Sequence, residues 1–375
     1  MIIAAVLLAS FAITQRDSWV PVLARHRRGL YWALGGGIFA VVVTFVASHT
    51  ADVEDVLQRL AGGDPLWLMA AGVLEAISFG GYVVLTRAVF RPRAPVIDWA
   101  VSVELTLAGV VATRIFSAGG VGGIAFTAWV LTRAGMDGRQ AARRLSAFMI
   151  LLYSVYVGTL LFGGALVVTG ILGDVPQALG LVALTVGGAV TVLFLLILRI
   201  PPDVERRARE VAEGGGRLSG IAARLAAAPQ VAANATRLAI SIAREDRTVM
   251  LWPVVWWGFD IAVLWTAFQA FGSPPPVGTV ILCYFLGSLG NLLPLPGGVG
   301  GREGGILGAF VACGVGASLA LVATIAYQVI STYLPAFPGL GAYLDLKRRM
   351  NGWRTDGGEP GLPGPAVEGT PARVT

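Results

Sequence analysis

Charge is what this chain has least of. Only 13% of its residues are Asp, Glu, Lys or Arg, about half the share of a soluble globular domain. An ordinary water-soluble fold is thereby excluded. Histidine is scarcer still: there are two, His26 and His49, near the ends of one apolar stretch. A histidine-centred active site is therefore not expected. The two cysteines, Cys283 and Cys313, both lie in apolar segments. They supply no disulfide or metal framework and read as buried, inert thiols. No Walker, zinc or nucleophile-elbow pattern stands in a context that suits it. Gly120-Val-Gly122-Gly-Ile-Ala125 does fit the dinucleotide pattern, but that pattern needs a preceding strand and a βαβ unit, and the surrounding sequence offers neither. No cofactor, no metal and no catalytic cluster are expected. The net charge of +6 does not signal nucleic acid, because the basic residues fall in short loops between apolar runs.

What the chain has instead is apolar sequence, 55% of all residues, in runs long enough to cross a bilayer. Residues 1–14 are apolar but shorter than the roughly 20 needed to span, and no small-residue cleavage site follows them. Arg16, Arg25, Arg27 and Arg28 come next and belong in the cytoplasm by the positive-inside rule. The remaining spans read as 30–49, 65–86, 145–172, 177–199, 249–272 and 318–340. The acidic loop with Asp52, Glu54, Asp55 and Asp64 lies outside, as does the turn holding Asp174. Arg87, Arg91 and Arg93, then Arg133, Arg139, Arg143 and Arg144, and finally Lys347, Arg348 and Arg349 lie inside. Residues 200–247 are arginine-rich, with Leu218, Ile221 and Leu225 at helical spacing; they read as an amphipathic helix on anionic lipid or equally as a solvated linker. From about 351 the tail is rich in Gly and Pro and reads as disordered.

One stretch breaks the apolar pattern. Asn291 to Gly305 reads Asn-Leu-Leu-Pro-Leu-Pro-Gly-Gly-Val-Gly-Gly-Arg-Glu-Gly-Gly. Irregular backbone at membrane depth survives only where protein or a watery cavity shelters it, and ionisable residues there mark function by default. A fragment recurs earlier: Gly119-Gly120-Val121-Gly122-Gly123 matches Gly297-Gly298-Val299-Gly300-Gly301. In both places the returning limb is too short to span, so each reads as a re-entrant hairpin, at about 98–136 and 277–315. Three spans lie between them. An odd number turns the second hairpin over relative to the first, the mark of an inverted-topology repeat. The expected fold is thus an all-α polytopic membrane protein. Residues 1–29 precede repeat 1 at 30–172 and repeat 2 at 177–340, and 341–375 form a cytoplasmic basic and disordered tail.

Each glycine turn precedes a helix, so two helix N-termini, each with about half a positive charge and unpaired N–H groups, would point into the protein. Glycine lets the backbone approach a ligand or another helix, and such a site suits phosphate. The candidate substrate-binding residues are Pro294, Pro296, Gly297, Gly298, Gly300, Arg302 and Glu303 in the second motif, Gly119, Gly120, Gly122 and Arg114 in the first, and Asp260 in the intervening span. Glu303 could pair with Arg302, receive a cationic headgroup or carry a coupling proton. Bland readings stand beside these. Gly304, Gly305 and Gly308 suit close helix packing, Arg114 could pair with Glu104 or Glu75, and Asp260 could be a satisfied structural carboxylate. Trp67, Trp99 and Trp252 read as interfacial anchors.

The run Pro294-x-Pro296-Gly297-Gly298-x-Gly300-x-x-Glu303, with a glycine-rich helix and a last span after it, resembles the membrane domain of lysylphosphatidylglycerol synthases and its stand-alone, flippase-like relatives. The resemblance covers most of 30–345. It implies a multi-pass protein of the bacterial inner membrane, C-terminus cytoplasmic, that moves a lipid or lipid-linked headgroup between leaflets. Only Pro294, Pro296, Gly297, Gly298, Gly300 and Glu303 carry over residue by residue. Tyr327-Gln328 stands where relatives often have Tyr-Arg, and Ala125 stands where the second motif has Glu303. The expected partners are membrane lipids, either an anionic phospholipid or a polyprenyl phosphate, with a lipid-modifying synthase or glycosyltransferase as a further candidate. The rival readings are an integral-membrane enzyme acting on a lipid phosphate or lipid-linked sugar, and an accessory subunit of one. An enzyme would need a nucleophile or metal cluster, whereas Glu75, Glu104, Asp260 and Glu303 are scattered in sequence.

Overall fold

The structure is a computed structural model, and it describes residues 58–115, 121–173, 175–199, 217–292 and 301–353. The expected segment 1–14, the span 30–49 and the tail beyond 353 lie outside the described residues. Among those described, eleven α-helices and no strand occur. They are α1 (Pro65–Phe90), α2 (Trp99–Ile115), α3 (Val121–Arg133), α4 (Gly138–Val168), α5 (Gln177–Leu198), α6 (Arg217–Glu245), α7 (Leu251–Phe271), α8 (Val277–Ser288), α9 (Gly301–Ala312), α10 (Ala317–Gln328) and α11 (Leu334–Gly352). Five stretches are long and apolar enough to cross a membrane: Pro65–Arg93, Gly138–Val168, Gln177–Leu198, Arg247–Phe271 and Ala317–Gly352. Each corresponds to a span expected from the sequence.

Local chemistry sets the helix boundaries. Asp64 caps α1 by accepting from the Leu66 N–H at 2.8 Å, with Pro65 at the first helical position, where its missing N–H costs nothing. Asp137 caps α4 in the same way through the Arg139 N–H. That cap starts α4 seven residues before the expected span, because the arginine-rich turn is itself helical. Arg144 in it is buried and donates to the Val89 carbonyl. Between α10 and α11 one π-helical turn, Val329–Tyr333, widens the helix. Pro335, just beyond, has no N–H to offer the Ser331 carbonyl, and such irregular turns gather where the ladder is interrupted.

The short helices fall into two pairs, α2 with α3 and α8 with α9, and three of the candidate spans lie between the pairs. Small residues bring each pair together. A Cβ on Gly287 would collide with the backbone of Gly305 and Ile306, and one on Gly123 would meet the Gly109 carbonyl at 3.0 Å. Gly305 is therefore a packing position, whereas nothing lies within 4 Å of a Cβ on Gly308. The α8–α9 pair also joins the two cysteines. Cys283 is buried, Cys313 half-buried, and their Sγ atoms are 3.3 Å apart.

The strongest constraint runs between α1 and α7. The Asp64 N–H donates to the Ala270 carbonyl at 2.9 Å, and Ser78 Oγ donates to the Trp256 carbonyl at 2.9 Å. A Cβ on Gly81 would sit 2.9 Å from the Trp252 carbonyl and 3.0 Å from the Trp256 nitrogen. As the chain rises along α1 it falls along α7, so the helices are antiparallel in one register. Glu75, between Asp64 and Ser78, comes level with Asp260.

Of the arginine-rich segment, residues 200–216 and the side chains of 217–230, Leu218, Ile221 and Leu225 among them, lie outside the described residues. From residue 231 onward α6 is built into the bundle. Ala232, Ala233, Thr236 and Ala239 are buried, and Ala232 and Ala233 pack with Ile197 against Ile150, Tyr153, Val157 and Phe194. Its alanine stripe lets α6 lie close to α4, which the polar composition of the segment conceals.

Two outcomes test this packing. Gly81→Leu is expected to destabilise the protein by about 1–3 kcal/mol or more through overpacking, read as a lower thermal midpoint in detergent. Mild oxidation with copper–phenanthroline is expected to join Cys283 to Cys313 within one chain, read by peptide mass mapping and absent in Cys283→Ser.

Candidate functional site

Asp260 lies near the middle of α7 and is 4% exposed. A carboxylate so buried needs partners, and three helices supply them. Tyr327 of α10 donates to Oδ1 at 2.9 Å and reaches Oδ2 at 3.0 Å. Tyr284 of α8 donates to Oδ2 as well. Arg302, in the first turn of α9, places Nη2 3.1 Å from Oδ2. The same Nη2 lies 2.5 Å from the Tyr284 hydroxyl, and Arg302 Nε donates to Ser288 Oγ at 3.3 Å. The guanidinium carbon also stands over both rings, 5.0 Å from the Tyr284 centroid and 5.3 Å from that of Tyr327, within cation–π range.

The local sequence explains the convergence. Tyr284 and Ser288 are four apart on α8 and share a face, the face turned to α9. Close contact at Gly287 lets α9 approach until Arg302 reaches that face. Both tyrosines are fully buried, while the Arg302 side chain keeps 19% of its surface. The cation is thus held by Asp260 and the two tyrosines while part of its side chain stays uncovered. It sits at a helix N-terminus, where the backbone adds positive potential. Chemically this is a fixed cation in the first turn of α9, suited to an anionic oxygen.

The expected site residues divide accordingly. Arg302 and Asp260 come together, and Asp260 is Arg302's ion-pair partner. Glu303 lies half-buried in the first turn of α9, where the helix dipole favours it. Gly122 is buried at the start of α3. Pro294, Pro296, Gly297, Gly298, Gly300, Gly119 and Gly120 lie outside the described residues, as does the side chain of Arg114. Glu104, one of Arg114's expected partners, accepts from Arg349 Nε of α11 at 3.0 Å. Of the expected anchors, Trp67 meets Trp265 edge-on and Trp99 lies under Arg87, 4.3 Å from its guanidinium.

Sequence reasoning missed four members of the cluster: Tyr284, Tyr327, Ser288 and Glu75. The spacing of Tyr284 and Ser288 was a usable signal, since two polar side chains on one face of an apolar helix need a partner. Tyr327 was visible only as half of a dipeptide that departs from the family pattern. Glu75 is 4% exposed, and its Oε2 has no hydrogen-bond partner.

These features define a class: a multi-pass α-helical membrane protein with an ionised cluster buried where a helix hairpin meets the spans. Residues 32–339 match the lysylphosphatidylglycerol synthase TM region, and the chain belongs to that family. Two UPF0104 membrane proteins of Methanothermobacter thermautotrophicus are similar to it. One is 28% identical over 335 residues and the other 22% over 332, each alignment covering 82% of this chain and 92% of the relative.

Removing one partner of a buried ion pair costs about 3–5 kcal/mol. Asp260→Ala is therefore expected to lower the thermal midpoint far more than Tyr327→Phe, which deletes one hydrogen bond to a charged group, worth about 1.5–3 kcal/mol. Thermal unfolding of the two variants in detergent checks the order.

Proposed function

We propose that the protein moves a lipid headgroup between leaflets, with Arg302 holding the headgroup phosphate. One observation carries this reading: a guanidinium fixed at a helix N-terminus by Asp260, Tyr284 and Tyr327 that keeps 19% of its surface open. Membership of a family named for the membrane region of a lipid-modifying synthase supports a lipid as the ligand. The lipid tails stay in the bilayer while the headgroup crosses, and the N-terminus of α9 adds positive potential for the phosphate.

The two short-helix pairs are read as re-entrant hairpins opening to opposite sides. In support, their helices of 17, 13, 12 and 12 residues are each shorter than the roughly 20 residues a span needs, and three candidate spans separate them. Rocking of two inverted halves would then alternate access to the site. On this reading the C-terminus is cytoplasmic and the membrane is a bacterial inner membrane. The substrate is an anionic phospholipid, its aminoacyl ester or a polyprenyl phosphate.

The test is headgroup translocation in proteoliposomes with labelled phosphatidylglycerol, its lysyl ester and a polyprenyl phosphate. Movement of one of them is expected, reduced at least about tenfold in Arg302→Ala and Glu303→Ala at normal expression. Arg302→Lys is expected to recover only part of it, since an ammonium lacks the planar fork. Unchanged movement in both alanine variants would sink the proposal.

A further inference from the structure

Two carboxylates share the buried cluster with one guanidinium. Asp260 takes Arg302 and both tyrosine hydroxyls. Glu75 comes level with Asp260 in the α1–α7 register, is 4% exposed, and leaves Oε2 without a partner. Among the described side chains, the charged and titratable groups within its electrostatic reach are Asp260 of α7, Arg302 of α9 and Tyr327 of α10. Two described groups on other helices packed against α1 are engaged elsewhere, while the side chain of Arg114 on α2 lies outside the described residues. Glu104 of α2 is held by Arg349, and Arg144 of α4 donates to the Val89 carbonyl. Tyr153 of α4 has Arg302 in electrostatic reach. Among the described side chains, with Asp260 and Glu75 both ionised the cluster carries one negative charge more than Arg302 can balance. An uncompensated carboxylate in such surroundings is costly, and the usual relief is a proton.

We propose that Glu75 is a proton-binding site that couples proton movement to headgroup binding at Arg302. The coupling rests on the phosphate reading of Arg302 and follows from sign alone. A phosphate at Arg302 brings a second negative charge towards Glu75, so a bound phosphate strengthens proton binding there. By linkage, a proton on Glu75 strengthens phosphate binding by the same factor. The proton comes from the aqueous face to which the site is open, adds to a carboxylate oxygen of Glu75, and returns to water on the face where the phosphate leaves. Headgroup and proton therefore travel in the same direction. Glu75 itself touches no headgroup; it acts through the charge balance of Asp260 and Arg302.

Two measurements test this, one independent of any lipid. In the first, infrared difference spectra of the purified protein in phosphatidylcholine nanodiscs are recorded across pH. A protonated-carboxyl C=O stretch is expected that titrates in wild type and is lost in Glu75→Gln. Identical spectra for the two would overturn the proposal. In the second, phosphatidylcholine proteoliposomes carry a trace of fluorescent phosphatidylglycerol, and its transfer is followed with and without an imposed pH step. Wild-type transfer along the proton gradient is expected to quicken about tenfold, within the 5–150-fold range of ordinary coupling, while Glu75→Gln ignores the gradient. Wild-type transfer that is indifferent to the gradient overturns the coupling and leaves the lipid-transfer reading standing. If wild type transfers no phosphatidylglycerol, its coupling to a proton is overturned whatever the infrared band shows, and the transfer reading is decided by the lysyl ester and the polyprenyl phosphate of the preceding test. Should Glu75→Gln fail to run as a single species in detergent, Glu75→Asp takes its place: a shifted infrared midpoint supports the site, and an unshifted one overturns it.

Discussion

Asp260 is a carboxylate removed from water, and the arrangement of the second half of the chain follows from meeting its needs. Left unpaired it would cost several kcal/mol. Arg302 supplies a full positive charge at 3.1 Å, and Tyr284 and Tyr327 supply hydroxyl donors. Those three residues come from α9, α8 and α10, so one carboxylate on α7 ties four helices to a point. The tie is polar and directional in a bundle whose other contacts are mostly apolar and tolerant of sliding. Helices packed by dispersion alone can shift register; helices that must present a donor to one carboxylate oxygen cannot.

Close backbone approach makes that geometry reachable. Gly81 lets α1 lie against the Trp252–Trp256 backbone of α7, and Gly287 with Gly305 lets α8 and α9 touch. Any side chain at these places would move the helices apart, and the Arg302 side chain would no longer reach both Asp260 and Ser288. Small residues in membrane helices serve this purpose widely. Here they sit next to the ionised cluster, so packing and charge placement are one problem. The resulting site holds a partly uncovered cation, and its second carboxylate, Glu75, has an Oε2 with no partner among the described residues.

Some of this was legible beforehand. The spans were readable because apolar run length is a local property, and the caps at Asp64 and Asp137 explain the observed starts of α1 and α4. The second glycine motif was readable because prolines, glycines and charges are out of place in an apolar run. The partner of Arg302 was not. Adjacent Glu303 invited pairing, yet neighbours on a helix point about 100° apart and do not face each other. The true partner lies 42 residues earlier. The packing of residues 231–245 was hidden for a related reason: the composition there is polar, but Ala232, Ala233 and Ala239 are buried.

The sequence by itself determined the class of protein, the placement of the five candidate spans, the two short-helix pairs and the prominence of Arg302, Glu303 and Asp260. All of these depend on composition and order along the chain. Tertiary structure alone decided that Asp260 holds Arg302, that Tyr284 and Tyr327 complete the hold, and that Glu75 stands level with Asp260. Such pairings depend on the register between antiparallel helices. That register is set by a few contacts at Asp64, Ser78 and Gly81, whose partners on α7 cannot be identified until the two helices are laid side by side.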